Sequence, residues 1–218
     1  MHVSVEHVIE PDSGRLERLL GSPLTFEDHA PAEFEIVRLP DLDLPDGYVV
    51  AADGIILQGL PFTQRLAAGA HQLRLAVGLL TGGDSRVAFA ILGASEAPIV
   101  RFELALTDCQ NIATLEDGNV YGYPVDAGMG SFAPPRAHEA LAAIDDLLTL
   151  TEPAMQSVYR HTRDWCTVTT AAGAGAIFSS GFGDGLYASY FGFDATGSAV
   201  VLVTDFSVVA WPRNPMPA

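Results

Sequence analysis

The chain has 218 residues, 49% hydrophobic and 17% charged, with a mean hydropathy of +0.25, which excludes a disordered polymer and fits one domain with a sizeable core. Eleven basic residues against 27 acidic ones give a net charge of −16, and every basic residue is arginine. The absence of lysine excludes Schiff-base chemistry, a phosphate-loop lysine, and the polybasic footprint of nucleic-acid or anionic-membrane binding.

At the N-terminus, Met1 to Glu6 has neither a basic region nor an apolar one, so no secretory signal is read there. No apolar run approaches the roughly 18 residues of a membrane helix. Cys109 and Cys166 stand outside any CxxC pair and read as reduced thiols. Together these features point to the cytoplasm.

Residues 13–20 predict a short helix with Ser13 as cap and Gly21 as stop. From 24 to 48 the chain is acidic and broken by Pro31, Pro40 and Pro45, which suits a surface segment with one strand at Phe34–Leu39. Tyr48 to Leu57 reads as a hairpin around Asp53-Gly54. Residues 71–80 predict a strand, and Arg86–Leu92, apolar on both faces, a central one. Ile99–Leu106 alternates, with Arg101 and Glu103 on one face and Phe102 and Leu104 on the other.

After Pro134-Pro135, the spacing of Ala137, Ala140, Leu141, Ile144, Leu147 and Leu148 predicts a long helix. Thr151-Glu152-Pro153 then starts a second helix reaching about Arg163. The last third returns to strand, with Leu186–Phe193 and Ser198–Phe206 flanking the turn 194–197. This order predicts an α+β fold: a largely antiparallel, strand-rich sheet or sandwich, with a helical pair at about 135–163 inserted between strand groups. The whole of 1–218 reads as a single domain in which 1–45 is peripheral and 46–218 is the core.

Two stretches are more specific. Tyr121 to Phe132 reads YGYPVDAGMGSF, and Ser179 to Tyr187 reads SSGFGDGLY, continuing through Gly192-Phe193-Asp194 to Thr204-Asp205-Phe206. In this order they resemble the bacterial domain-of-unknown-function family 4241, with its Pro-Val-Asp-Ala-Gly-x-Gly-x-Phe and Ser-Gly-x-Gly-Asp-Gly-x-Tyr elements. A looser likeness runs through Gly69, Arg86-Val87-Ala88 and Phe102-Glu103-Leu104-Ala105, so the resemblance covers the chain from about residue 45. It implies a shared fold and carries no activity.

Asp126 precedes Gly128 and Gly130, and Asp184 sits between Gly183 and Gly185 with Tyr187 close behind. Such glycines let backbone N–H groups approach a ligand, and paired carboxylates divide acid and base roles or share a cation. They also suit Asx-turns, and both readings stand. Ser131 is a candidate nucleophile if His138 or His161 reaches it, and Asp126, Asp184 and Ser131 are the catalytic candidates. Arg101, Glu103, Gly128, Gly130, Gly183, Gly185, Tyr187 and Asp205 are the ligand-binding candidates. The six histidines show no metal-ligand spacing, and neither a metal nor a cofactor is implied.

Two functional classes follow. One is an acidic binding or interaction module, immunity-like, that meets a basic protein partner and neither nucleic acid nor membrane. The other is a hydrolase or metal-assisted enzyme built on the two glycine-framed aspartates. A scaffold using an exposed sheet edge is a third, blander reading.

Overall fold

The computed structural model describes residues 1–12, 14–93, 98–160 and 162–212; Ser13 and His161 lie outside them. In chain order the strands are β1 (His2–Ser4), β2 (Val8–Pro11), β3 (Phe34–Leu44), β4 (Val50–Asp53), β5 (Gly69–Leu79), β6 (Ser85–Gly93) and β7 (Arg101–Leu104). They continue as β8 (Tyr123–Val125), β9 (Met129–Ala133), β10 (Trp165–Thr170), β11 (Gly173–Ser179), β12 (Gly185–Phe193) and β13 (Ala199–Asp205). Three helices occur among the described residues: α1 (Arg15–Leu20), α2 (Pro135–Ala142) and α3 (Leu147–Val158), beside one 3-10 turn at Ile112–Thr114.

The fold is strand-rich and its strand pairs are antiparallel. One sheet has the order β1-β10-β11-β9-β4; the other runs β2-β3-β5-β6-β13-β12-β7, with β8 also paired to β12. Period-two alternation turns one face of each sheet toward a shared core. There Phe178 of β11 packs edge-on against Phe132 of β9 at 5.4 Å and against Phe206, just past β13, at 6.2 Å. The opposite face of the smaller sheet presents Cys166, Val168 and Ile177 to Ala137, Leu141, Leu147 and Met155 of α2 and α3. The outer face of the larger sheet is covered by α1 and by Trp211, whose ring meets Phe89, Phe102 and Tyr190 edge-on.

Several local expectations change. The Phe34 strand is not peripheral: it runs eleven residues, pairs with β2 and β5, and buries Leu42 and Leu44 completely. Pro40 is accommodated because the register shifts between Leu39 and Leu42, so a residue without an N–H sits where the ladder is interrupted. The hairpin at Asp53-Gly54 does not form; β4 pairs with β9 and the chain turns away after Asp53. The helix after Pro134 begins at Pro135 but stops at Ala142. Asp146, in the left-handed region with φ 55°, accepts the Thr149 N–H and caps a new helix at Leu147, which then runs through Pro153 instead of starting there. At the other end, α1 stops at Gly21 with φ 70°, while Asp12 Oδ1 accepts the Leu16 N–H at its start. Both cysteines are free thiols, Cys109 exposed and Cys166 buried.

Candidate functional site

The two glycine motifs lie against each other, and a third aspartate holds one of them in place. Asp53, at the end of β4, is 4% exposed. Its Oδ1 accepts the N–H groups of Ile55 and Ile56, both at 2.8 Å. Its Oδ2 accepts those of Asp126 and Ala127, also at 2.8 Å. One carboxylate therefore ends its own strand and fixes a loop more than seventy positions away. Four N–H donors on one carboxyl group leave it fully occupied.

Asp184 works in the same manner. Its Oδ1 accepts the Gly128 N–H at 3.0 Å, while Ser180 N–H donates to the Gly128 carbonyl at 3.1 Å. Gly128, Gly181 and Gly183 all have positive φ, and a Cβ on Gly181 would lie 2.6 Å from the Phe206 carbonyl oxygen, so that position has no room for a side chain. Tyr187 seals the turn by donating its hydroxyl to the Gly183 carbonyl at 2.7 Å. Burial raises its phenol above the ordinary value. The Asp126 side chain is exposed, and among the described residues it has no hydrogen-bond partner.

Asp184→Ala is expected to lower stability by about 1 kcal/mol, one hydrogen bond to a loop N–H. Asp126→Asn should change it by less than about 0.5 kcal/mol, as for an exposed surface substitution. Urea melts of the two variants check this contrast. Equal losses would mean that Asp126 also bears on the loops.

The remaining candidates are dispersed. Ser131 is 1% exposed and donates its hydroxyl to the Ala52 carbonyl of the neighbouring strand at 3.1 Å. His138 of α2 is buried, its imidazole held below the ordinary value by that burial, and its Nδ1 has no partner among the described residues. Gly130 passes beneath Tyr123, whose Oη would be 2.9 Å from a Cβ at that position. Arg101 and Glu103 pair at 2.7 Å on the half-exposed face of edge strand β7, with the guanidinium 4.3 Å from the centre of the Phe193 ring. An ion pair so exposed contributes under about 1 kcal/mol. Asp205 ends β13, buried between the flanking strands, and accepts the Ser207 N–H at 2.8 Å. Among the described residues, no three His, Cys, Asp or Glu side chains gather closely enough to hold an ion.

A cleft of about 390 Å³ opens beside these loops, where the edge of the smaller sheet faces the edge of the larger one. Residues 58–63 bridge the two sheets: Phe62 N–H donates to the Val49 carbonyl and Thr63 N–H to the Leu106 carbonyl. Gly59 and Gly122 permit the close approach. A Cβ on Gly59 would lie 2.8 Å from Val50 Cγ1, and one on Gly122 would lie 2.5 Å from the Tyr187 carbonyl oxygen. One wall consists of Gly122, Tyr123, Pro124 and Tyr187, all from the two motif stretches. The other wall brings Ala51, Phe62 and Ala105, and Gln58, Thr107 and Gln110 add polar groups. Tyr187 is thus the sequence-predicted residue that lines the cleft, whereas Asp126, Asp184 and Ser131 do not.

Asp53, Gln58 and Gln110 were not singled out from sequence. At Asp53 the Asp-Gly pair reads as a hairpin turn, and the signal that could have marked it is the ability of an Asp side chain to accept N–H groups two and three residues on. The glutamines carried no local signal, since their partnership depends on two sheet edges meeting.

No curated protein and no solved structure matches the chain. The family model described as "Protein of unknown function (DUF4241)" matches residues 42–204, which include β4, both glycine motifs and every residue that lines the cleft. The chain therefore belongs to the DUF4241 family.

Proposed function

We propose that this protein is a binding module whose site is the cleft between the two sheet edges. The observation that carries this reading is the division of labour within the glycine motifs. Their Tyr123, Pro124 and Tyr187 line the cleft, while the Asp184 carboxylate is turned onto a backbone N–H. A concave, largely apolar site with a few polar groups is the usual form of a small-molecule pocket, and about 390 Å³ is enough for a compact ligand. The hydrolase or metal-assisted alternative needs Asp126 and Asp184 to work on a common substrate, and the bond from Gly128 to Asp184 favours a structural use of that carboxylate.

Ala51 and Ala105 are among the residues that line the cleft, so their methyl resonances report on it. In a fragment screen on protein labelled at alanine methyls, compounds that bind saturably are expected to shift these two resonances together. Binders that leave both untouched while shifting resonances elsewhere would overturn the assignment.

The acidic surface supports a second contact, with a basic protein. Arg15, Arg38, Arg86, Arg101 and Arg163 are each paired with one of the chain's own carboxylates, so the unpaired excess is acidic. Such a contact would form quickly and weaken as salt shortens the Debye length.

A further inference from the structure

None of the thirteen residues that line the cleft is charged, in a chain with 38 charged residues (11 basic plus 27 acidic). A charged group taken into the cleft would lose hydration without meeting a countercharge, which is strongly unfavourable. The polar groups present are of a different kind. Gln110 uses its Oε1 to accept the Thr107 N–H at 2.9 Å, which orients the carboxamide and leaves its two N–H donors unused among the described residues. Gln58 is exposed at the mouth, and neither end of its carboxamide has a partner among the described residues. The site therefore offers carboxamide donors and an acceptor, and three aromatic residues, Phe62, Tyr123 and Tyr187, each less than a tenth exposed, contribute to its lining. Aromatic residues in a lining favour a flat π-system, and a carboxamide is best matched by a group that accepts and donates side by side.

We infer that the cleft takes an uncharged, planar ligand bearing an amide or lactam edge, the chemistry shared by aromatic carboxamides and nucleobases. This rests on the cleft being the binding site and adds to it the class of ligand.

The test titrates the full chain, labelled at alanine methyls, with four small probes at about 150 mM salt, where long-range attraction of cations is screened. Benzamide has the flat ring and the neutral amide. Benzoate and benzamidine keep the shape and carry a negative or positive charge, and cyclohexanecarboxamide keeps the amide and loses the planarity. Benzamide is expected to shift Ala51 and Ala105 saturably and to bind at least about tenfold tighter than the other three, the equivalent of one well-formed polar contact. Gln110→Glu keeps an acceptor for the Thr107 N–H and removes the N–H donors. It should weaken benzamide about tenfold and tighten benzamidine. Gln58→Leu, at an exposed position, provides the same test of benzamide binding should Gln110→Glu disturb the turn.

Benzoate or benzamidine shifting the two methyls as strongly as benzamide would overturn the ligand class and leave the cleft as a site. Equal binding of cyclohexanecarboxamide would overturn the planarity. If none of the four reaches the cleft while other fragments do, the ligand class fails alone. If no fragment of any kind shifts Ala51 and Ala105, the cleft itself fails as a binding site.

Discussion

Asp53→Ala is expected to lower the stability of the folded chain by about 4 kcal/mol, the largest effect anticipated for a polar residue here. The substitution removes the acceptor of four N–H groups at once, two in its own turn and two in the 126–127 loop. Bonds to a carboxylate contribute about 1.5–3 kcal/mol each in isolation, but donors near the surface regain water, so the sum is well below four times that figure. Asp53→Asn should cost about 2 kcal/mol, since its amide NH2 must face a pair of donors where the second oxygen was. Urea denaturation at unchanged m-value would measure both. Amide exchange should accelerate at Asp126 and Ala127 along with it, which separates loss of the clasp from a general weakening. A cost under about 1 kcal/mol for Asp53→Ala would show that the loop is held by other contacts.

Asp205 should behave in the opposite sense. It is 7% exposed, and burial pushes its carboxyl up from 3.8 to about 6, the bond from the Ser207 N–H opposing that shift. Between these two pH values the folded chain holds a proton that the unfolded chain has released. Raising the pH through the window therefore removes stability, and the full penalty of about 3 kcal/mol is present by pH 8. Asn cannot ionise and keeps an oxygen for Ser207. Asp205→Asn is accordingly expected to leave stability at pH 4 within about 0.5 kcal/mol of the parent and to raise it by about 2–3 kcal/mol at pH 8. Urea midpoints of parent and variant across that range test this, because the pH dependence of all other groups cancels in the difference. A gap that stays constant with pH would mean that Asp205 does not titrate in this window.

How far the fold was legible depended on whether local chemistry and tertiary pairing agreed. The turn at 194–197 combines Gly197 in the left-handed region with an Asp194 side chain that accepts from Thr196 and Ser198, and β12 and β13 pair across it as expected. β6 reads as central because both its faces are apolar, and it does lie between β5 and β13. Elsewhere a strong local signal was overruled. Pro40 looked like a break, yet a register shift let β3 pass through it. Asp53-Gly54 looked like a hairpin, but Asp53 directs its second oxygen to another loop instead. The apolar stripe from Ala137 to Leu148 looked continuous because helical spacing survives a short interruption, and only the cap at Asp146 reveals the break.

The site followed the same logic. Both glycine motifs and Tyr187 were visible, since glycine-rich runs and an adjacent aromatic are local features. The use of Asp184 was not, because its partner Gly128 is 56 positions away. Nor was the cleft, whose walls come from the margins of separate sheets.

Strand β12 anchors both ends of an excursion of the chain. On one side it pairs with a single neighbour, β13, but on the other it is shared by β7 and β8, with residues 105–122 leaving and returning between them. That excursion supplies Ala105, Thr107, Gln110 and Gly122 to the cleft. Because closing a longer loop costs only slowly increasing entropy, the segment can grow, shrink or change composition while both strand pairings stay in register. The stretch between these two anchor points is thus the part of the cleft that can be rebuilt without disturbing the framework that holds it, and insertions there should leave the stability of the two sheets nearly unchanged.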